Sequence, residues 1–117
     1  MPNPLAHFEI AGRDGEALEA FYSQLFDWSI NRRDAGGFPY GDIDTQANPG
    51  LTGGIRHEPT GKPEIVLYFK VPDLQAAVDQ AQKLGAKLRI PPMETPEIRF
   101  ALIEDPEGNP VGLLEGE

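Results

Sequence analysis

The feature that most constrains this 117-residue sequence is a duplication. Val66-Leu67-Tyr68-Phe69-Lys70-Val71 near the middle resembles His7-Phe8-Glu9-Ile10 near the start, and each is followed by a turn and a helical pattern. In the first copy Leu18, Phe21, Tyr22 and Leu25 recur at helical spacing between Asp14, an N-cap residue, and the exit at Asp27-Trp28. In the second copy Leu74, Ala77, Val78, Ala81 and Leu84 recur in the same way between Asp73 and the helix-ending Gly85. Three short strand-like segments follow each helix, at 28–33, 38–44 and 51–57 and again at 86–91, 98–104 and 110–115, separated by Gly, Pro, Asn and Asp clusters. The reading is βαβββ twice. The modules are expected at about 4–58 and 64–117, joined by the linker 58–63. A half of under about 60 residues buries little core by itself, so residues 1–117 are expected to form a single domain.

Composition limits what such a domain can do. With no cysteine there are no disulfides, thiolate metal sites or thiol nucleophiles, which fits a reducing compartment. Ten Lys and Arg against nineteen Asp and Glu give a net charge of −9, which repels a polyanion, so no nucleic-acid partner is expected. The first residues lack a signal-peptide pattern and no apolar run approaches the ~20 residues of a membrane span, so a cytoplasmic protein with no membrane partner is expected. The twelve prolines and thirteen glycines mark turns, as at Gly36-Gly37, Asn48-Pro49-Gly50, Pro91-Pro92 and Asp105–Pro110, and do not spread as low-complexity sequence.

Strand alternation sorts the candidate site residues. Phe8 and Ile10 face the helix core, and His7, Glu9 and Ala11 face the other side; the same logic puts Leu67, Phe69 and Val71 in the core and Tyr68 and Lys70 opposite. On a curved mixed sheet with its helices outside, His7, Glu9, Tyr68 and Lys70 are expected to line one cleft, with Glu9 and Lys70 at equivalent places and able to pair. His7 reads either as a part-buried imidazole hydrogen-bonded to Tyr68 or Glu9 or as a proton-transfer group. Arg99 is an anion anchor for the cleft or one half of a surface salt bridge. Phe38, Tyr40 and Trp28 read as an aromatic wall for a flat ligand or as core. Phe21, Leu25, Val78 and Leu84 are expected in the core.

Three segments together resemble the vicinal oxygen chelate superfamily, which includes glyoxalase I, extradiol dioxygenases and bleomycin-resistance proteins. They are His7–Ile10 followed by Ala20-Phe21-Tyr22-Ser23-Gln24-Leu25-Phe26-Asp27-Trp28, then Val71-Pro72-Asp73-Leu74-Gln75-Ala76-Ala77-Val78, then Phe100–Asn109 with its Asp-Pro-Glu-Gly-Asn turn. The resemblance implies an α+β fold of two tandem βαβββ modules around a small-molecule cleft and, as in many relatives, a homodimer. In metal-using members each module supplies a ligand from its first strand and a carboxylate from its last. Carried over, His7 matches the first of these, Tyr68 replaces the second, Gly112 replaces one carboxylate, and Gly53 or Gly54 replaces the other. A rescue by His57, Glu58 or Glu115 is disfavoured by their positions. The resemblance therefore implies no bound metal, no cofactor and a small-molecule ligand. The function expected is binding by a glyoxalase-like or bleomycin-resistance-like protein. The alternative is an enzyme of lyase, isomerase or oxygenase type, using acid–base chemistry at the cleft or a non-standard metal site.

Overall fold

The computed structural model of the chain describes residues 2–44 and 48–116. The first module runs β1 (Leu5–Gly12), α1 (Gly15–Phe26), β2 (Ile30–Asp34), β3 (Pro39–Ile43) and β4 (Thr52–His57). The second runs β5 (Glu64–Val71), α2 (Leu74–Lys83), β6 (Lys87–Glu94), β7 (Arg99–Glu104) and β8 (Pro110–Glu115). In each, the first strand pairs in parallel with the last, and the remaining pairs are antiparallel: β1 with β4, β4 with β3, β3 with β2; then β5 with β8, β8 with β7, β7 with β6. This is the α+β, twice-βαβββ fold. Residues 7–65 form one compact unit and residues 66–116, with 2–6, form the other. The N-terminal segment belongs to the second unit, where the Pro4 carbonyl accepts a hydrogen bond from Lys70 N–H at 3.0 Å.

The helices begin and end where the sequence dictates. Asp14 accepts from Ala17 N–H at 3.0 Å and Asp73 from Ala76 N–H at 3.1 Å, each satisfying an amide that the first helical turn leaves without a carbonyl. Gly85, at φ +106°, ends the second helix in the left-handed conformation. The Asp-Pro-Glu-Gly-Asn segment is a turn organised by one carboxylate. Asp105 accepts from the amides of Glu107 and Asn109 and from the Asn109 side chain. These bonds, the Asn109 side chain first, hold its carboxyl below the usual range.

Each helix covers one sheet face. Ile10, Ile43 and Ile55 are buried with Leu18, Tyr22, Trp28 and Phe8 against them; Val71, Leu74, Val78, Ala101, Ile103 and Leu113 do the same in the second module. Trp28 is therefore a core residue, with its ring 5.5 Å from Tyr22 and 5.9 Å from Phe8. Four expected core residues are not in the core, the first being Leu67, which is 43% exposed in β5. Phe21, Leu25 and Leu84 are 56%, 57% and 72% exposed, whereas Val78 is buried as expected. The sheet meets α1 along Leu18 and Tyr22, which turns Phe21 and Leu25 outward, and Leu84 caps the end of α2 rather than sitting on its buried face. The strand β6 also runs through Pro91-Pro92, read above as a turn. Among the described residues it pairs with β7 alone and shifts register twice on the way to Met93, which an edge strand allows because proline has no amide to contribute.

Candidate functional site

On the face of the first-module sheet turned away from α1, alternation places His7 and Glu9 of β1, Tyr40 and Asp42 of β3, and Thr52, Gly54 and Arg56 of β4. Thr52, His7, Tyr40 and Glu9 form a hydrogen-bonded chain, with the Arg56 guanidinium ion-paired to its buried end. Thr52 Oγ1 lies 2.6 Å from His7 Nδ1, His7 Nε2 lies 2.9 Å from Tyr40 Oη, and the Tyr40 hydroxyl donates to Glu9 Oε2 at 3.0 Å. Glu9, 7% exposed, has its other oxygen 3.0 Å from Arg56 Nε, and Arg56 Nη2 donates to Glu64 at 2.9 Å.

The direction of the chain follows from donor counting. A carboxylate beside a guanidinium only accepts, so the single Tyr40 hydroxyl proton points to Glu9. The Tyr40 oxygen then accepts from His7, which must carry its proton on Nε2. Burial pushes the His7 pKa down, opposed by the charge of Asp42, and so favours the neutral ring. A neutral ring protonated at Nε2 has its lone pair on Nδ1, where the Thr52 hydroxyl donates. Thr52 is exposed and Glu9 buried, so the chain runs inward from the surface.

Gly54 makes the chain possible. A Cβ there would lie 2.1 Å from Tyr40 Oη, so only glycine lets the phenol cross β4 to reach β1. Gly53, on the other face, makes room for the Phe8 ring in the same way, at 2.4 Å. The register also corrects the alignment of the two modules: His7 pairs with Thr52 as Tyr68 pairs with Gly112, so Thr52 stands at the first-module carboxylate position, not Gly53 or Gly54.

In the second module Tyr68 is buried among Val66, Leu102, Ile90, Phe100 and Leu114, on the face away from α2. Its ring covers Gly112 so closely that a Cβ would lie 2.1 Å from Cδ2, which leaves no room for a carboxylate beside it. Lys70 and Arg99 border one open depression of about 390 Å³. Arg99 Nη1 pairs with Glu115 at 2.6 Å, and the other Glu115 oxygen accepts from Leu74 N–H at 2.9 Å, at the start of α2. The expected site residues thus fall into His7 with Glu9 in one unit, and Tyr68, Lys70 and Arg99 in the other.

Set against the four-ligand pattern that the resemblance implies, a hydroxyl and a glycine stand where carboxylates are expected and a phenol where one histidine is expected. Among the described residues no group of three or more His, Asp or Glu is placed to hold a metal ion. The rescue candidates are engaged elsewhere. His57 Nε2 lies 2.7 Å from Glu19, and Glu115 serves Arg99 and α2. Burial pushes the Glu19 carboxyl up, but its hydrogen bonds to His57 and Arg32 outweigh this and hold it below the usual range. Sequence reading missed Thr52, Arg56 and Glu64 and gave Tyr40 only an aromatic role. Period two within β4 places Thr52 and Arg56 on one face, but which face needs the ladder.

The family model for the glyoxalase-like domain matches residues 7–114. No curated protein matches the chain. Among solved structures, a hypothetical protein from Bacillus halodurans C-125 superposes with a TM-score of 0.74 at 11% identity, over 100% of this chain and 96% of that one. A methylmalonyl-CoA epimerase from Mycobacterium tuberculosis gives 0.66 at 18% identity, over 97% and 87%. A Streptomyces coelicolor methylmalonyl-CoA epimerase variant in complex with 2-nitronate-propionyl-CoA gives 0.72 at 14% identity, over 99% and 96%. Among the described residues no helix is long and apolar enough to cross a membrane. From the matched span and the twice-repeated βαβββ order, the chain belongs to the glyoxalase-like domain family, within the vicinal oxygen chelate superfamily.

Proposed function

We propose that this protein binds a small molecule without the divalent metal used by metal-dependent relatives, and that His7, with Glu9 behind it, is the first-module contact. The observation that carries the reading is Thr52: the residue paired with His7 offers a hydroxyl instead of a carboxylate, and that hydroxyl is spent on the His7 lone pair. In the second module ligand contact is assigned to Tyr68, Lys70 and Arg99; the depression that Lys70 and Arg99 share supports these two, and Tyr68, buried beside Gly112, takes its place only as the counterpart of His7 in the strand register. The protein acts in the cytoplasm as a homodimer, a reading supported by the absence of cysteine and the prevalence of two-fold dimers. An acid–base enzyme is the second reading, favoured by the directed chain that ends on His7 Nδ1.

Calorimetric titration of chelator-treated protein with Zn2+, Ni2+, Co2+ and Mn2+ tests the first reading. No saturable heat is expected. Stoichiometric binding that disappears in His7→Ala would overturn it. Light scattering at micromolar concentration tests the assembly, with twice the 12.8 kDa chain mass expected.

A further inference from the structure

We infer that Tyr40 and Glu9 are positioning residues that lock His7 in one tautomer, and that the ligand of this face carries an O–H or N–H donor, and no negative charge, which takes the place of the Thr52 hydroxyl on His7 Nδ1. The inference rests on the reading that His7 contacts a ligand, and adds the atom, the hydrogen-bond direction and the ligand class.

Three observations carry it. The chain from Glu9 through Tyr40 to His7 Nε2 has one consistent direction, fixed by an acceptor-only carboxylate at its buried end. Only Nδ1 then accepts, and the group now donating to it, Thr52, is exposed and can be displaced without uncovering core. The surroundings are acidic: Arg56 faces Glu9, Glu64 and, at 3.9 Å, Glu58, while Arg33 is paired with Asp42. With both nearby guanidinium groups already engaged by carboxylates, an anionic ligand meets repulsion, while an uncharged donor does not.

The test uses the full chain labelled with 15N at histidine, followed by long-range proton–nitrogen NMR near pH 7.5, with phenol as an uncharged donor, anisole as the same shape without a donor, and benzoate as an anion. His7 is expected in the Nε2–H form, and Tyr40→Phe is expected to mix its tautomers while leaving the His57 signals in place. Phenol should shift the Nδ1 resonance and anisole should not. In Thr52→Val, which removes the competing hydroxyl, phenol should bind about 2- to 10-fold more tightly. An Nδ1–H form in the free protein, equal responses to phenol and anisole, or benzoate binding most tightly would each overturn the inference. Co2+ added to the same sample separates the two ideas: selective broadening of His7 would sink the metal-free reading, while the tautomer measured without metal would still stand or fall by itself.

Discussion

Tyr40 gives the first-module face its order by touching both neighbours of one strand face. Replacing it with Phe removes the hydrogen bonds that the phenol makes to His7 Nε2 and to Glu9 Oε2, a loss expected at about 1–3 kcal/mol in urea unfolding. Gly54→Ala should cost as much, because its Cβ would occupy the space of the phenol. The two losses share one cause, so Gly54→Ala in a Tyr40→Ala background should cost far less than in the wild type, and additive losses would show that the glycine serves something else. His7 itself makes a pH prediction. Its folded pKa is lowered, chiefly by burial, so the unfolded chain binds the proton more readily; stability is present above the unfolded value of about 6.5 and is lost as pH falls through the folded pKa. Glu19 and Asp105, also lowered, act in the carboxylate range below, so the two windows separate. Unfolding midpoints between pH 7.5 and 5.5 should fall in the wild type and stay flatter in His7→Gln.

Among the elements, the helices test how a buried face is chosen. Leu74 has no exposed surface and its truncation to Ala should cost about 2–5 kcal/mol, whereas Leu84→Ala should stay within about 0.5 kcal/mol. Equal losses at the two positions would mean that α2 is rotated. Helical spacing alone could not make this choice, since in α1 it marks Leu18, Phe21, Tyr22 and Leu25 alike, and only the sheet beneath decides that Leu18 and Tyr22 are covered. The caps were legible because their signal is local: an Asp accepts an amide three residues on. Alternation likewise separated His7 and Glu9 from Phe8 and Ile10. Thr52 and Arg56 were not legible as partners, because meeting His7 and Glu9 depends on a parallel register set by strands more than forty residues apart, and no local pattern encodes it; Glu64 enters only through Arg56.

At the scale of the whole molecule, the duplication was readable because the same order of turn signals and periodicities occurs twice, and the family match spans residues 7–114. Whether the halves stand alone is a separate question. Neither is large enough to bury an ordinary core by itself, so unfolding followed by both circular dichroism and Trp28 fluorescence should give one coincident transition. Two separated transitions would make each module a domain.

The parallel pairing of first and last strands in both modules sets a timetable for a chain made on the ribosome. β1 must wait for β4, and β5 for β8, before either finds its ladder partner within its module. Leu74 at the head of α2 is not matched with its carboxylate until Glu115 has been added. Vectorial synthesis therefore cannot build this protein strand by strand. Because neither half buries an ordinary core alone, resistance to protease should appear in one step once β8 clears the exit tunnel, and nascent chains halted between β7 and β8 should still be cleaved in both modules.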